Sequence, residues 1–159
     1  EACVKMAEVK TGALIVIERN VSMGDIVSAS GVTVDAVFSS QLLINIFEDK
    51  TPLHDGAVII RDNRVAAASC ILPVTQSEIG QELGTRHRAA VGASEVSDAF
   101  IIVVSEETGK ISIARDGKLE KAVSEAVFRQ ELLNLCEKTT PAGAKAINKI
   151  WKGMSRHDK

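Results

Sequence analysis

Residues 57–72 read AVIIRDNRVAAASCIL and are the most informative part of the sequence for its fold class. Two short apolar runs, Ala57–Ile60 and Val65–Leu72, lie on either side of Asp62-Asn63, a residue pair typical of a hairpin turn. The segment therefore predicts two antiparallel strands side by side in a sheet.

Further strands and helices are predicted around this hairpin. Ala13–Glu18 reads as a strand, and Phe100–Val104 and Ile111–Ala114 read as a second strand pair. Apolar residues at helical spacing predict helices at residues 2–9, from Ser39 or Ser40 to about Thr51, from Arg86 with Thr85 as its cap, along Leu119–Leu133 and over Ala142–Trp151, with a short helix within Thr75–Gly84. These elements indicate an α/β fold, a single domain with a mixed central β-sheet flanked by helices.

Composition narrows the possible functions. With 159 residues, 45% of them hydrophobic, the chain can bury one substantial core. Its 19 basic and 21 acidic residues leave no basic excess for nucleic acid, and aromatic residues, at 3%, are too few for a base-stacking surface. We therefore expect no nucleic-acid partner. Cys3, Cys70 and Cys136 show no CxxC spacing and are predicted to be reduced thiols.

The sequence predicts a cytoplasmic domain. No apolar run approaches the roughly 20 residues that cross a bilayer, and no signal peptide is visible. The chain begins at Glu1 without an initiator Met, in what reads as a helix already in progress. We therefore expect a segment upstream of Glu1, and that segment could be a membrane anchor.

A carboxylate and an imidazole, Asp55 and His54, stand directly ahead of a glycine and the strand that begins at Ala57. Gly56 allows a ligand to approach the backbone closely at the mouth of this strand. The pair suits a divalent cation, because Mg²⁺ prefers oxygen ligands and an imidazole widens the choice to Mn²⁺ or Co²⁺. The alternative is a solvated histidine and an aspartate that caps a local turn.

Gly84–Arg88 (GTRHR) place two guanidinium groups and an imidazole in the first turn of a helix, where the helix dipole disfavours cations. A bound phosphate would explain this charge, since backbone N–H groups, the Thr85 hydroxyl and the two arginines could all hold it. The alternative is that the arginines pair with nearby acids such as Glu82 or Glu95.

A hydroxyl and two carboxylates, Ser105, Glu106 and Glu107, follow the strand at Phe100–Val104 and could contact a metal or a ribose. The alternative is an ordinary solvated turn. The sequence contains no G-x-x-x-x-G-K-[ST] loop, G-x-G-x-x-G fingerprint or G-x-S-x-G elbow. If ATP binds this chain, it binds without a Walker motif.

Four segments together resemble the diadenylate cyclase domain. They are TGALIVIE (11–18), TPLHDGA (51–57), ELGTRHRAA (82–90) and VSEETG (104–109), in this order and at spacings that fit the family. The combination of Asp-Gly-Ala with Arg-His-Arg is highly specific to that family. The resemblance runs from about Lys10 to Cys136. It identifies residues 1–159 as one catalytic domain, with a core at about 10–136 and a C-terminal helix at about 141–153.

The resemblance also implies roles for single residues. Asp55 would engage the ribose 3′-hydroxyl and a divalent metal (Mn²⁺, Mg²⁺ or Co²⁺), with His54 as another metal ligand. The nucleoside would lie against Gly56, Ala57 and Leu72, with Leu72 packing on adenine. The triphosphate would be surrounded by Thr85 and the catalytic residues Arg86, His87 and Arg88. Phosphate and metal would also contact Ser105 and Glu107, or Glu106 in place of Glu107.

The membrane-anchored branch of the family is the one that this sequence resembles more. In that branch an aromatic residue often precedes the position of Leu72, where this chain has Ile71. The resemblance implies an anchor before Glu1 that holds the cytoplasmic domain at the bacterial cell membrane.

The implied reaction joins two ATP molecules into cyclic di-AMP and releases two pyrophosphates. Each 3′-hydroxyl must face the α-phosphate of the other ATP, and a two-fold homodimer supplies that symmetry. Positioning and neutralisation of phosphate charge would provide most of the catalysis. A nucleotide-binding sensor without turnover and a simple interaction domain are the alternatives. Asp55 argues against the sensor, because a carboxylate repels phosphate unless a metal lies between them.

Overall fold

The computed structural model describes residues 1–78 and 83–138 of the chain. They fall into two compact units, Glu1–Val123 and Ser124–Lys159. In the second unit the described element is the helix α5 (Glu125–Lys138). The elements of the first unit are α1 (Ala2–Glu8), β1 (Ala13–Ile17), α2 (Gly24–Ser30), β2 (Val32–Val37), α3 (Ser40–Phe47), β3 (Ala57–Arg61), β4 (Arg64–Cys70), α4 (Thr85–Glu95), β5 (Phe100–Val104), β6 (Ile111–Arg115) and β7 (Lys118–Glu120).

All the described strands form one sheet, in the order β2-β4-β3-β1-β5-β6-β7. β1 and β3 are parallel, and every other neighbouring pair is antiparallel. α4 packs on β5, β6 and β7 and α2 packs on β4, while α1 contacts α3, β5 and β6. The predicted α/β class, with a mixed central sheet flanked by helices, is confirmed.

The central strands are apolar on both faces. Leu14 and Val16 of β1 belong to the core that α4 covers, whereas Ala13 and Ile15, also buried, alternate with them and point to the other face. A strand buried on both faces reads as a continuous apolar run, which explains why the sequence shows no polar alternation there.

Two predicted helix boundaries are wrong. The residue that caps α4 is Gly84, so Thr85 is already helical and is not the cap. The helix expected along Leu119–Leu133 is interrupted, because Leu119 lies in β7 and α5 starts only at Glu125. The reason is local: Asp116 and Gly117 both have positive φ, 50° and 71°, and turn the chain into a β6–β7 hairpin.

Further predictions concern the cap of α3, two more helices and a membrane span. The cap of α3 is Ser39, whose Oγ accepts a hydrogen bond from the N–H of Leu42 at 3.1 Å, as expected. The helices expected at Ala142–Trp151 and within Thr75–Gly84 lie wholly or partly outside the described residues. Among the helices that the structure describes, none combines the length and apolar character needed to cross a bilayer.

Candidate active site

Gly12, Asp55 and Ser105 stand at the ends of three adjacent strands, just before β1, just before β3 and just after β5. Since β3 runs parallel to β1 and β5 runs antiparallel to it, these three ends lie at the same edge of the sheet. Neighbouring strands are about 4.8 Å apart, so the outer two segments are separated by about 10 Å with β1 between them. The fold thus brings two of the predicted site segments to one edge.

His54 is held in a defined orientation. Its Nδ1 lies 2.6 Å from the carbonyl oxygen of Thr51, so Nδ1 carries the proton and donates it to this acceptor. Nε2 then has a free lone pair; the nearest acid, Asp49, has its Oδ1 3.8 Å away. A histidine whose second nitrogen donates to a backbone carbonyl is oriented as metal-binding histidines are.

Asp55 is exposed, and within residues 1–78 and 83–138 its carboxylate has no hydrogen-bond or ion-pair partner. The alternative that Asp55 caps a local turn therefore does not apply. An exposed acid at the edge of the sheet with no partner among the described residues is available to a ligand.

Gly56 is required by the packing of its own chain. Its φ is 101°, and a Cβ at this position would lie 2.8 Å from the carbonyl carbon of Ser69 and 2.9 Å from the carbonyl oxygen of Cys70. Ala57 is fully buried against β4, so its side chain cannot reach a nucleotide. The predicted contacts of these two residues with substrate stay predictions and can involve only their backbone.

The start of α4 has the properties of an anion site. The Gly84 carbonyl accepts from the N–H groups of His87 and Arg88 at 3.1 and 3.3 Å, and no side chain caps this end of the helix. The earlier N–H groups of the first turn therefore have no side-chain acceptor in the described part of the chain. Together with the exposed Thr85 hydroxyl, they are oriented to receive an anion such as phosphate.

The two arginines of this helix differ in their surroundings. Arg86 Nη1 lies 2.7 Å from Glu106 Oε2, which connects the start of α4 to the turn after β5. Arg88 Nη2 donates to the carbonyl oxygen of Thr75 at 3.2 Å, and the Thr75 N–H donates to the Arg88 carbonyl at 3.1 Å. The alternative that the arginines pair with nearby acids thus holds for Arg86, although its partner is Glu106. Pairing with Glu95 is wrong, because Glu95 accepts instead from the Thr75 hydroxyl at 2.6 Å. Glu82 lies outside the described residues.

His87 is the buried member of the motif, at 9% exposure. Burial lowers the pKa of its imidazole, and the nearby positive charge of Lys121 lowers it further, while Glu107 acts in the opposite direction. The ring is therefore neutral at pH 7. Lys121, which the sequence analysis did not single out, lies just after β7 at the same edge of the sheet.

We expect the lowered pKa of His87 to make the free energy of unfolding fall in mild acid. Below about pH 6.5 the unfolded state takes up a proton that the folded state does not, so stability decreases until the pH reaches the lower folded pKa. Urea unfolding between pH 8 and pH 5 should show a steeper loss for the wild type than for His87→Gln. Identical pH profiles would mean that His87 titrates normally.

The turn after β5 contains the third predicted segment. Ser105 Oγ accepts from the Thr108 N–H at 3.2 Å, so this hydroxyl stabilises the turn. Glu106 is paired with Arg86, whereas Glu107 is exposed. The described residues contain no group of three or more His, Cys, Asp or Glu side chains that could hold a metal. His54 and Asp55 precede β3 and Glu107 follows β5, with β1 between these two strands. The three residues therefore do not form one ligand set.

Leu72 and its neighbour Ile71 differ sharply in exposure, at 5% and 74%. Leu72 is part of the core beneath α4, and Ile71 faces solvent with its N–H donated to Ser30 Oγ at 2.9 Å. The contact of Leu72 with adenine stays a prediction.

Comparison with known proteins identifies the family. Residues 1–119 match the DAC family, described as DisA bacterial checkpoint controller nucleotide-binding. The cyclic di-AMP synthase CdaA of Bacillus subtilis is 52% identical over 128 residues, which are 80% of this chain and 46% of that protein. A diadenylate cyclase of Listeria monocytogenes is 49% identical over 149 residues, 93% of this chain and 54% of that protein. The chain spans about half the length of these curated relatives.

Solved structures agree. The crystal structure of a DacA double mutant from Staphylococcus aureus is 48% identical and has a TM-score of 0.81, covering 84% of this chain and 89% of that one. A Bacillus cereus structure described as a hypothetical membrane spanning protein is 46% identical, with a TM-score of 0.70, covering 77% of this chain and 60% of that one. The sequence and structure matches together show that the chain belongs to the diadenylate cyclase domain family.

Proposed function

We propose that this chain is the catalytic part of a diadenylate cyclase that condenses two ATP molecules into cyclic di-AMP and two pyrophosphates. Relatives in Bacillus subtilis and Listeria monocytogenes carry this activity in their names. The observation that carries the proposal is the juxtaposition, at one sheet edge, of the Asp55 carboxylate with the arginine-bearing start of α4, neither of which has a side-chain partner for its free carboxylate or N–H groups among the described residues.

The reaction requires a group that holds and deprotonates the 3′-hydroxyl and groups that bind the triphosphate. In each half-reaction a 3′-oxygen forms a bond to an α-phosphorus, the bond from that phosphorus to the bridging oxygen breaks, and pyrophosphate leaves. Asp55 is the group suited to hold the 3′-hydroxyl and accept its proton. The α4 start and Arg86 would bind the triphosphate and neutralise the charge on the departing pyrophosphate.

A divalent metal, Mn²⁺, Mg²⁺ or Co²⁺, fits the donor groups at this edge. Asp55 offers carboxylate oxygens and His54 offers Nε2, whose lone pair is freed by the hydrogen bond from Nδ1 to Thr51. When bound, such an ion would polarise the hydroxyl and neutralise phosphate charge. Two protein ligands are too few for a closed site, so phosphate oxygens of ATP must complete the shell.

The active species is proposed to be a homodimer. One sheet edge has one Asp55 and one α4 start, which suffices for a single ATP. Two such edges related by a two-fold axis would present each 3′-hydroxyl to the other α-phosphate. A location on the cytoplasmic side of the bacterial membrane is likewise a proposal, supported by the resemblance to the membrane-anchored branch and the description of the Bacillus cereus neighbour.

The proposal predicts that the chain, given ATP and Mn²⁺, forms cyclic di-AMP detectable by mass spectrometry. The rate per enzyme molecule should rise with enzyme concentration at saturating ATP, because only loaded dimers react. Sedimentation velocity would report the dimer fraction over the same range. Binding of ATP without product would favour the sensor alternative, and product from a species that sediments as a monomer would exclude face-to-face catalysis.

A further inference from the structure

The ion pair between Arg86 and Glu106 lies directly over the backbone of Gly12. A Cβ at position 12 would be 2.7 Å from Arg86 Nη1, 2.9 Å from Arg86 Cζ and 2.9 Å from Glu106 Oε2. Real side chains do not approach so closely, so the pair could not keep this position if residue 12 had a side chain. The close atoms are the distal ends of two side chains, and none belongs to the backbone.

The ion pair with Glu106 involves only one nitrogen of the Arg86 guanidinium. Glu106 contacts Nη1 at 2.7 Å, and the guanidinium makes no other hydrogen bond or ion pair with the described residues. Nε and Nη2, the other edge of the planar fork, are left to donate together to two oxygens of one phosphate. Arg86 is 24% exposed at its side chain, so it is partly buried and still open to solvent.

We propose that Glu106 and Gly12 are positioning residues for Arg86. Glu106 fixes the guanidinium by its Nη1 corner, Gly12 provides the space in which it lies, and the remaining edge binds phosphate. The identity of the anion as the triphosphate of ATP rests on the proposed function. The dependence of the Arg86 position on Gly12 rests on the distances alone.

The other roles open to Glu106 agree less well with the structure. As a metal ligand it would have only Oε1 to offer, since Oε2 is paired with Arg86, and it belongs to no metal-binding group among the described residues. As a direct phosphate contact it would repel the ligand. Holding an arginine is the role that a carboxylate can keep beside a polyanion, because the pair is locally neutral.

Gly12→Ala is the most informative variant, since it keeps every charge and adds one methyl group. Only flexible side-chain ends must move, so the variant should fold with an unchanged melting temperature. We expect it to bind 3′-deoxy-ATP, which lacks the reacting hydroxyl, about tenfold more weakly in calorimetry, because the charge-assisted bonds of Arg86 are misplaced. Gly24→Ala is the matched control: its Cβ would meet only the Ser22 hydroxyl, at 3.2 Å, at the opposite edge of the sheet. Its affinity should be unchanged.

A double-mutant cycle separates positioning from a general structural effect. Arg86→Ala alone should weaken binding about ten- to a hundredfold. Adding Gly12→Ala to it should weaken binding no further, because the side chain that Gly12 accommodates is gone. Glu106→Gln, which can still accept from Nη1, should retain more affinity than Glu106→Ala. Additive losses from Gly12→Ala and Arg86→Ala, or a Gly12→Ala variant that binds like the wild type, would overturn the inference.

A measurement without nucleotide keeps this inference distinct from the proposed function. In ¹⁵N spectra of the free protein, the Arg86 guanidinium resonance should be shifted or lost in Gly12→Ala and Glu106→Ala, and kept in Gly24→Ala. An unchanged resonance in all variants would reject the positioning role. Failure of the wild type to bind 3′-deoxy-ATP, with the resonance changes present, would instead reject the proposed substrate.

Discussion

Replacing Asp55 with asparagine is expected to lower the rate of cyclic di-AMP formation by about 10²–10⁴, the typical cost of losing positioned acid–base help. The carboxylate has no partner among the described residues, so its loss removes no structural contact. A lost metal contact would add to the effect. Metal-free ATP binding should be equal or stronger, because the substitution removes an anion beside a triphosphate.

The control for the lost charge is Asp62→Asn. Asp62 lies in the β3–β4 hairpin at the opposite edge of the sheet, with φ of 49°, a conformation that asparagine also adopts readily. This variant should form product at the wild-type rate. Calorimetry with ATP and a mass-spectrometric product assay on both variants decide the role of Asp55. Near-normal synthesis by Asp55→Asn would exclude it from catalysis, and a folded variant that no longer binds ATP would limit it to substrate capture.

The sequence was sufficient for the central hairpin because its signals were local. Asp62 and Asn63 both have positive φ, 49° and 59°, the conformation that a two-residue hairpin turn requires. The long-range pairings, such as β1 with β3 and β5, leave no comparable local pattern, although they are what bring the site together. The resemblance to known cyclases, rather than periodicity, pointed to the joined site.

Elements at the margins of the fold were missed for physical reasons. β2 is an edge strand whose residues Val32–Val37 are mostly exposed and interrupted by a bulge, so it lacks the apolar run of a central strand. α2 buries none of its residues completely and is fixed from outside, by the Glu18 carboxylate accepting from the Met23 N–H at 2.8 Å. The helix also packs on β4, a strand distant in sequence, and such packing cannot be read from the helix's own sequence.

Charged residues in a motif were easier to single out from the sequence than residues whose effect depends on what lies near them in the fold. Asp55 and Arg86 carry charge and appear in a motif, so the sequence alone was enough to predict a role for them. Gly12 matters through the space it leaves for two distant side chains, and Lys121 matters through its distance from His87. Neither property is visible before the chain is folded. Glu106 and Glu107 were indistinguishable in sequence, but in the structure Glu106 pairs with Arg86 and Glu107 acts on the pKa of His87.

Removal of divalent metal is expected to abolish cyclic di-AMP synthesis. The His54 ring is oriented as in metal-binding histidines and Asp55 has an exposed carboxylate, but the described residues contain no cluster of three or more side chains suited to a metal. We propose that the ion is held partly by the phosphates of ATP, so that a chelator can remove it. Excess EDTA should stop product formation, and added Mn²⁺, Mg²⁺ or Co²⁺ should restore it to different extents.

The residues that bind the ion can be identified from the relative activities with Mn²⁺, Mg²⁺ and Co²⁺, here called the metal order. His54→Ala should reduce activity with Mn²⁺ and Co²⁺ more than with Mg²⁺, because imidazole is a better ligand for the first two, while ATP affinity changes little. Thr51 fixes the His54 ring through its backbone carbonyl, and its hydroxyl donates to the carbonyls of Ile46 and Glu48 at 3.3 and 2.8 Å. Thr51→Ser keeps both features, so it should leave the metal order intact and serves as the control. Full activity in excess EDTA would remove the metal from the mechanism. An unchanged metal order in His54→Ala would remove His54 from the site and leave Asp55 as the protein's contribution to the ion.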